Sequence, residues 1–129
     1  MWDDFAEYIL SEAESKNVKI AEIAVGKFDR IADYLASKDN IDLIKTDIAP
    51  KDETVIKDDI TNPNMDLYKD IDIIYSIRPP SELQPYLVKL AVEIDSQLII
   101  KPLTNEDLNT GRVIMKLKNF KRASFYTLR

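Results

Sequence analysis

The chain contains no histidine and no cysteine, so any chemistry it performs must use carboxylates, lysine, arginine or hydroxyl groups. This composition excludes zinc sites of the usual nitrogen and sulfur kind, cysteine nucleophiles, disulfides, and histidine-based triads or proton shuttles. The remaining candidates cluster where four predicted strands end, at Gly26-Lys27-Phe28-Asp29, Thr46-Asp47, Asp58-Asp59-Ile60 and Ser76-Ile77-Arg78-Pro79-Pro80.

Gly26 and Asp47 together have the positions expected in a nucleotide pocket. A glycine after the first strand lets the backbone approach a ligand closely, and the helix predicted after it presents free N–H groups to an anion. An acid at the end of the second strand is where such pockets bind ribose hydroxyls. Two plainer interpretations stay open: Gly26 only forms the turn, and Asp47 only caps a helix or lies in a solvated loop.

Asp58 and Asp59 are adjacent carboxylates that could hold an adenine amino group or a divalent ion. They are followed by Thr61-Asn62-Pro63, a combination that is typical of turns. We favour the turn interpretation for this pair.

Arg78 lies between a buried strand and two prolines, a stiff scaffold from which a guanidinium can bind a carboxylate or phosphate through two parallel hydrogen bonds. The alternative is a surface arginine without a role. Glu22 lies inside a mainly apolar strand, where a carboxylate needs a partner or must reach the edge of the pocket. Lys101, followed by Pro102, is predicted only to end its strand.

The elements that must position these residues begin with a strand-helix-strand unit. The spacing of Trp2, Phe5 and Ile9 predicts a first helix over residues 3–15, and β-branched residues predict a strand over 18–25. A helix over 27–37 and a strand over 41–48 follow. Because a unit of roughly 30 residues of this kind joins parallel neighbours, the centre of the sheet is predicted to be parallel.

The rest of the chain predicts three further strands and a hairpin. A short strand over 54–57 follows a connection of only 49–53, less than the dozen or so residues of a normal parallel crossover, so its pairing is left open. A strand over 71–76 is followed by a helix over 83–94 with Pro85 in its first turn. A strand over 97–101 and an antiparallel hairpin formed by 112–117 and 124–128 complete the sheet. We expect a single α/β domain over 1–129, with a mainly parallel sheet of about five strands flanked by three helices, whose ligands bind at the carboxyl ends of the strands.

Several stretches of the chain resemble a small uncharacterised archaeal protein family with a Rossmann-like, methyltransferase-like fold. They are residues 21–31, 57–63, 73–80 with Leu83-Gln84-Pro85, and 98–103; the most distinctive motifs are 74–80 and 57–61. The resemblance spans nearly the whole chain. It implies the fold and leaves the biochemical role open.

More distantly, residues 22–28 are similar to the acidic-x-Gly-x-Gly-x-Gly motif of S-adenosylmethionine-dependent methyltransferases. Glu22 and the middle glycine, Gly26, match it, whereas Ala24 and Phe28 stand at the other glycine positions, and the Phe28 ring would fill space beside the amino-acid end of that cofactor. The resemblance further implies three assignments: Asp47 binds ribose; Asp59 and Ile60 lie beside adenine; and Ser76 and Arg78 are the catalytic candidates, in the slot where some of these enzymes carry a polar-Pro-Pro-aromatic motif.

The net charge of −5 hides an asymmetry between the two halves of the chain. Acids exceed bases by nine over residues 1–76, whereas bases exceed acids by four over residues 77–129. Residues 112–129 hold six bases and no acid, with Phe120, Phe125 and Tyr126 among them. Basic and aromatic side chains bind phosphates and stack on bases, so a weak RNA-binding surface on the hairpin is an alternative function.

The sequence therefore supports three function hypotheses. The first is a methyltransferase-like protein that binds S-adenosylmethionine or another small adenosine-containing ligand; the second is a non-catalytic RNA- or nucleotide-binding module; the third is a partner-binding protein on an inherited fold. The apolar runs fall far short of the roughly 20 residues of a membrane helix, and the acidic start differs from a secretory signal, so we expect a cytoplasmic protein with no membrane partner. The oligomeric state is left open.

Overall fold

Seven strands form one sheet in the computed structural model, which describes residues 2–13, 16–102 and 108–129. In chain order they are β1 (Val18–Ile23), β2 (Ile41–Asp47), β3 (Ile56–Lys57), β4 (Ile73–Ile77), β5 (Gln97–Lys101), β6 (Lys116–Phe120) and β7 (Ala123–Leu128). Their order across the sheet is β3-β2-β1-β4-β5-β7-β6. The first five strands are parallel, whereas β7 is antiparallel to both β5 and β6. The prediction of a mostly parallel α/β sheet with a C-terminal antiparallel hairpin is confirmed.

The helices α1 (Trp2–Glu12), α2 (Arg30–Ala36) and α3 (Gln84–Glu93) cover the two faces of this sheet. Alternation along β4 shows the two layers: Ile73, Tyr75 and Ile77 belong to the core beneath α1 and α2, whereas Ile74 belongs to the core beneath α3. No helix within the described ranges is long and apolar enough to cross a membrane.

The short third strand pairs in parallel with β2, through Thr46 with Ile56 and Asp47 with Lys57. Only Ile56–Lys57 form it, and the preceding loop over 48–55 contains no helix. Because β3 pairs only with the last two residues of β2, the chain has to travel back only a short distance along the sheet, and a short connection is sufficient. The pairing that the sequence left open is therefore settled.

The predicted first strand of the hairpin, over 112–117, is wrong by about four residues, since β6 is Lys116–Phe120. The turn lies at Lys121 and Arg122, where Lys121 has a φ of 54°, and it pairs Phe120 with Ala123. A two-residue hairpin turn of this kind fixes the register of both strands. Its position was not visible in the sequence because Lys-Arg is not a typical turn pair.

Two elements near the first glycine also differ from the prediction. The first strand ends at Ile23 rather than Val25, because Ala24 adopts a left-handed conformation with a φ of 59°. The next helix begins only at Arg30 and is seven residues long, so its N-terminus does not adjoin Gly26 as predicted. The predicted end of the first helix at 14–15 lies outside the described residues, and Pro85 lies in the first turn of α3, as predicted.

Candidate functional site

A cavity of about 440 Å³ opens at the carboxyl edge of the sheet, next to the ends of β1 and β4. These neighbouring strands continue to opposite sides of the sheet, β1 towards β2 and β4 towards β5, and ligands of open α/β sheets bind at such a point. The volume suits a small molecule. Its lining is mainly apolar, through Ile23, Val25, Phe28, Ile48, Ile60, Ile77, Pro80 and Leu83, and its polar groups come from Lys27, Asp47, Asp58, Asp59 and Arg78.

Asp47 connects the loops that follow β1 and β2. Its Oδ2 accepts a hydrogen bond from the backbone N–H of Gly26 at 3.1 Å, and its Oδ1 accepts one from the N–H of Ala49 at 2.9 Å. A carboxylate can accept about four hydrogen bonds, so Asp47 retains acceptor capacity towards the cavity. Gly26 itself is exposed and has a φ of 61°, a conformation that favours glycine.

The adjacent carboxylates of Asp58 and Asp59 differ in how many of their oxygens accept hydrogen bonds. Asp58 uses both oxygens, accepting from the N–H of Asn64 at 3.0 Å and from the buried hydroxyl of Tyr68 at 2.7 Å. Asp59 uses only Oδ1, which accepts from the hydroxyl and the N–H of Thr61 at 2.7 and 2.9 Å. These bonds lower the pKa of Asp59 and keep it charged. Within the described part of the chain no group donates to its Oδ2, so Asp59 also offers an acceptor.

Arg78 is held in a strained and braced segment at the other side of the cavity. Its φ of 55° is unusual for a residue with a side chain, and its N–H donates to the carbonyl oxygen of Lys101 at 2.7 Å. The guanidinium carbon lies 5.3 Å from the centre of the Trp2 ring. The buried Gln84 donates from Nε2 to the carbonyl of Pro79 at 3.2 Å and fixes the chain after Arg78.

Gln84 and Lys101 are the two positioning residues that sequence reasoning missed. Gln84 also accepts from the N–H of Asn109 at 2.6 Å, which joins this segment to the chain before the hairpin. Gln84 precedes Leu87 and Val88 by three and four positions, which places it on the apolar face of α3, and this spacing is the signal that could have identified it. Nothing in the sequence shows that Lys101 meets Arg78, because that contact depends on the strand order.

Glu22 and Ser76 lie beside the cavity and do not line it. Glu22 is 1% exposed, and its Oε1 accepts a hydrogen bond from the Tyr75 hydroxyl at 2.7 Å, which supplies the partner that the sequence required. Burial raises the pKa of Glu22 to about 7. Ser76 is fully buried, and its hydroxyl donates to the carbonyl of Ile23 at 2.7 Å.

The cavity thus brings together five of the seven predicted site residues, whereas the other two, Glu22 and Ser76, do not line it. The five are Gly26, Asp47, Asp59, Ile60 and Arg78. The ring of Phe28, which was expected to fill the cofactor space, packs against Trp2 at a centroid distance of 4.7 Å and also lines the cavity.

The basic hairpin, defined as β6, its turn and β7, is tied to acids of α1. The Lys121 amine donates to Oε2 of Glu7 at 2.6 Å, and the N–H of Arg122 donates to Oδ2 of Asp4 at 3.0 Å. Part of the positive charge seen in the sequence is therefore compensated in the fold.

Comparisons with known proteins identify relatives across the whole length of the chain. A model of an uncharacterised protein family, UPF0146, matches residues 2–129. The UPF0146 protein of Methanothermobacter thermautotrophicus is 41% identical over 126 residues, covering 98% of this chain and 93% of the relative. That of Methanocaldococcus jannaschii is 45% identical over 130 residues (93% and 90%), and that of Archaeoglobus fulgidus is 34% identical over 128 residues (96% and 92%).

Among solved structures, a SAM-dependent methyltransferase from Aquifex aeolicus has a similar fold. The TM-score is 0.54, and the match covers 95% of this chain and 88% of that protein at 12% sequence identity. At this identity the likeness concerns the fold alone.

Proposed function

The chain belongs to the UPF0146 family, and for this member we propose that the cavity binds a small adenosine-containing ligand of the S-adenosylmethionine type. One observation carries the proposal: Asp47 with spare acceptor capacity, and Asp59 with an oxygen that has no donor among the described residues, lie at the ends of neighbouring strands beside an apolar lining. The fold shared with the Aquifex methyltransferase supports the choice of ligand class.

Asp47 is the group that we assign to the ribose. Both of its oxygens are held by backbone N–H groups, so the carboxylate is fixed before any ligand arrives. A preorganised acceptor loses little freedom on binding. Vicinal ribose hydroxyls can donate to its remaining lone pairs. Gly26 has no side chain, so the ligand can approach the backbone beside these hydroxyls.

Asp59 and Ile60 are the residues that we assign to the adenine. Ile60 is buried at 7% exposure and contributes an apolar surface to the cavity for one face of the base. The charged Asp59 beside it has an acceptor for the exocyclic amino group. Asp58 is assigned to the loop instead, because its bonds to the buried Tyr68 hydroxyl and to the N–H of Asn64 hold the chain between residues 58 and 68.

For methyl transfer, Arg78 is better placed than Ser76 among the two catalytic candidates. Arg78 lines the cavity, whereas the Ser76 hydroxyl would have to leave the Ile23 carbonyl before it could meet a substrate. We therefore assign the contact with an acceptor substrate to Arg78.

Calorimetric titration of the full chain with S-adenosylmethionine, S-adenosylhomocysteine, ATP and NAD tests the proposal. We expect binding of at least one adenosine compound, and Asp47→Asn should weaken it about tenfold or more because one oxygen becomes an amide donor. Asp42→Asn is the matched control: Asp42 is an exposed acid of the same strand, outside the cavity, and its variant should bind as wild type does.

Asp59→Asn is the second variant, in case Asp47→Asn fails to fold. Equal affinity of wild type and both variants would place the ligand elsewhere, and the absence of binding for all four compounds at millimolar concentration would refute the proposal.

A further inference from the structure

We propose that Arg78 and Lys101 form an oxyanion-binding subsite beside the cavity, which takes the carboxylate or phosphate group of a small acceptor substrate. Only the statement that the anion belongs to an acceptor substrate rests on the proposed function. Binding of the anion itself depends on the two cations alone.

The backbone brings the two cations to one corner of the sheet. Lys101 is the last residue of β5 and pairs with Ile77, and the N–H of Arg78 donates to the Lys101 carbonyl at 2.7 Å. Lys101 follows Ile99 by two positions, so it faces the same layer of the core, which contains α1. The Arg78 guanidinium lies against Trp2 of α1, on that same side.

Neither cation is compensated by the part of the chain that the structure describes. Lys101 is only 8% exposed, and lysines this deeply buried are normally paired. Among residues 2–13, 16–102 and 108–129, no carboxylate oxygen lies within 4 Å of a side-chain nitrogen of either Lys101 or Arg78. Burial and the charge of Arg78 both lower the pKa of Lys101. Within these described residues the pair therefore has no anion, and a ligand could supply one.

The conformation of Arg78 supports a binding role. Its left-handed φ of 55° is costly for a residue with a side chain, and such strain persists where the surroundings impose it, often at ligand sites. Here the surroundings are the bond to Lys101 and the brace from Gln84 to Pro79. The strained backbone directs the guanidinium over Trp2 and beside the cavity.

The chemistry of the two side chains selects an oxyanion as the ligand. A guanidinium presents two parallel donors to a carboxylate or phosphate, and an ammonium adds a point charge. The recessed position of Lys101 favours a terminal group on a small molecule over the internal phosphodiesters of RNA, which would need both cations at the surface.

The test is a titration of the full chain with sodium phosphate and with sodium acetate at constant ionic strength, followed by amide chemical shifts in solution NMR. We expect saturable shifts of the Ile77, Arg78 and Lys101 amides with at least one anion. Lys101→Met and Arg78→Gln should each weaken that binding about tenfold or more, and Arg78→Lys should rescue it poorly because it lacks the planar fork. Lys116→Met, which removes an exposed strand lysine, is the matched control and should bind as wild type does.

Thermal unfolding without any anion provides the second measurement. Lys101→Met should raise the unfolding temperature, because it removes a buried charge beside a like charge. A lower unfolding temperature would show that Lys101 stabilises the fold without a bound anion, and it would overturn the proposal. The absence of saturable shifts, or stronger competition from an RNA oligonucleotide than from either anion, would overturn it as well.

The two proposals fail independently. Phosphate or acetate binding without any adenosine binding contradicts the proposed function alone, and the reverse result contradicts the subsite alone.

Discussion

The cavity and the basic hairpin differ in whether their charged side chains are paired with groups of opposite charge. In the hairpin, the amine of Lys121 is paired with Glu7 and the turn is anchored to Asp4, so cations and acids from the two ends of the chain meet. At the cavity, Arg78 and Lys101 have no such acid in the described ranges, and Asp59 keeps an oxygen without a donor there. The sequence shows where charges are dense, but the fold decides which of them remain available to a ligand.

The largest expected effect concerns Gly26 at the cavity, and Gly111, which precedes the hairpin, provides the comparison. Gly26 and Gly111 have φ values of 61° and 66°, and a Cβ added at either would meet no atom within 4 Å. Valine imposes the same backbone strain at both positions, but only Gly26 lines the cavity. We expect Gly26→Val to weaken adenosine-ligand binding about a thousandfold or more, roughly 4 kcal/mol, in calorimetry, while the fold is retained.

Gly111→Val is the control for that strain. It should lose stability as Gly26→Val does and keep the wild-type affinity. Equal loss of affinity in both variants would mean that the cavity is not the binding site.

A pH dependence of stability distinguishes the buried Glu22 from the exposed ion pair of the hairpin. The folded-state pKa of about 7 exceeds the ordinary value of 4.5, so the native state binds more protons between these pH values. Wild type should therefore lose up to about 3 kcal/mol of unfolding free energy relative to Glu22→Gln as the pH rises from 4.5 past 7. Denaturant unfolding of both proteins across this range measures the difference, and a constant difference would contradict the assignment.

Backbone strain beside the cavity gives a smaller effect. Ala24 holds a φ of 59° at the end of β1, where glycine has no steric penalty. Ala24→Gly should raise the free energy of unfolding by about 0.5–1 kcal/mol. Ala36→Gly, in the last turn of α2, should lower it by a similar amount, since glycine is a poor helix residue. Destabilisation by both changes would show that Ala24 is not strained.

The hairpin should show the smallest effects. Lys121→Ala removes an exposed ion pair and should change the unfolding free energy by about 0.5 kcal/mol or less. RNA binding by the wild type should be weak and sensitive to salt, and the combined change Lys118→Glu, Lys121→Glu and Arg122→Glu should remove it. RNA binding in fluorescence anisotropy that survives both this change and high salt would contradict the electrostatic explanation.

The fold and the site could be predicted to different extents. The run of β-branched residues after Val18 predicted β1, and the common edge of parallel strands predicted that Gly26, Asp47 and Arg78 converge. The contact between Arg78 and Lys101 could not be predicted, because it depends on the placement of β5 beside β4 and on a left-handed residue. The hairpin register depended on an atypical turn at Lys121, which no local pattern indicates.

The most direct test of the central claim is an NMR titration of the full chain with S-adenosylhomocysteine. We predict saturable shifts of the Gly26, Asp47, Ile60 and Arg78 amides, while the amides of β6 and of the hairpin turn remain unchanged. Shifts confined to the hairpin, or no shifts at millimolar ligand, would contradict the claim that the cavity is an adenosine-binding site.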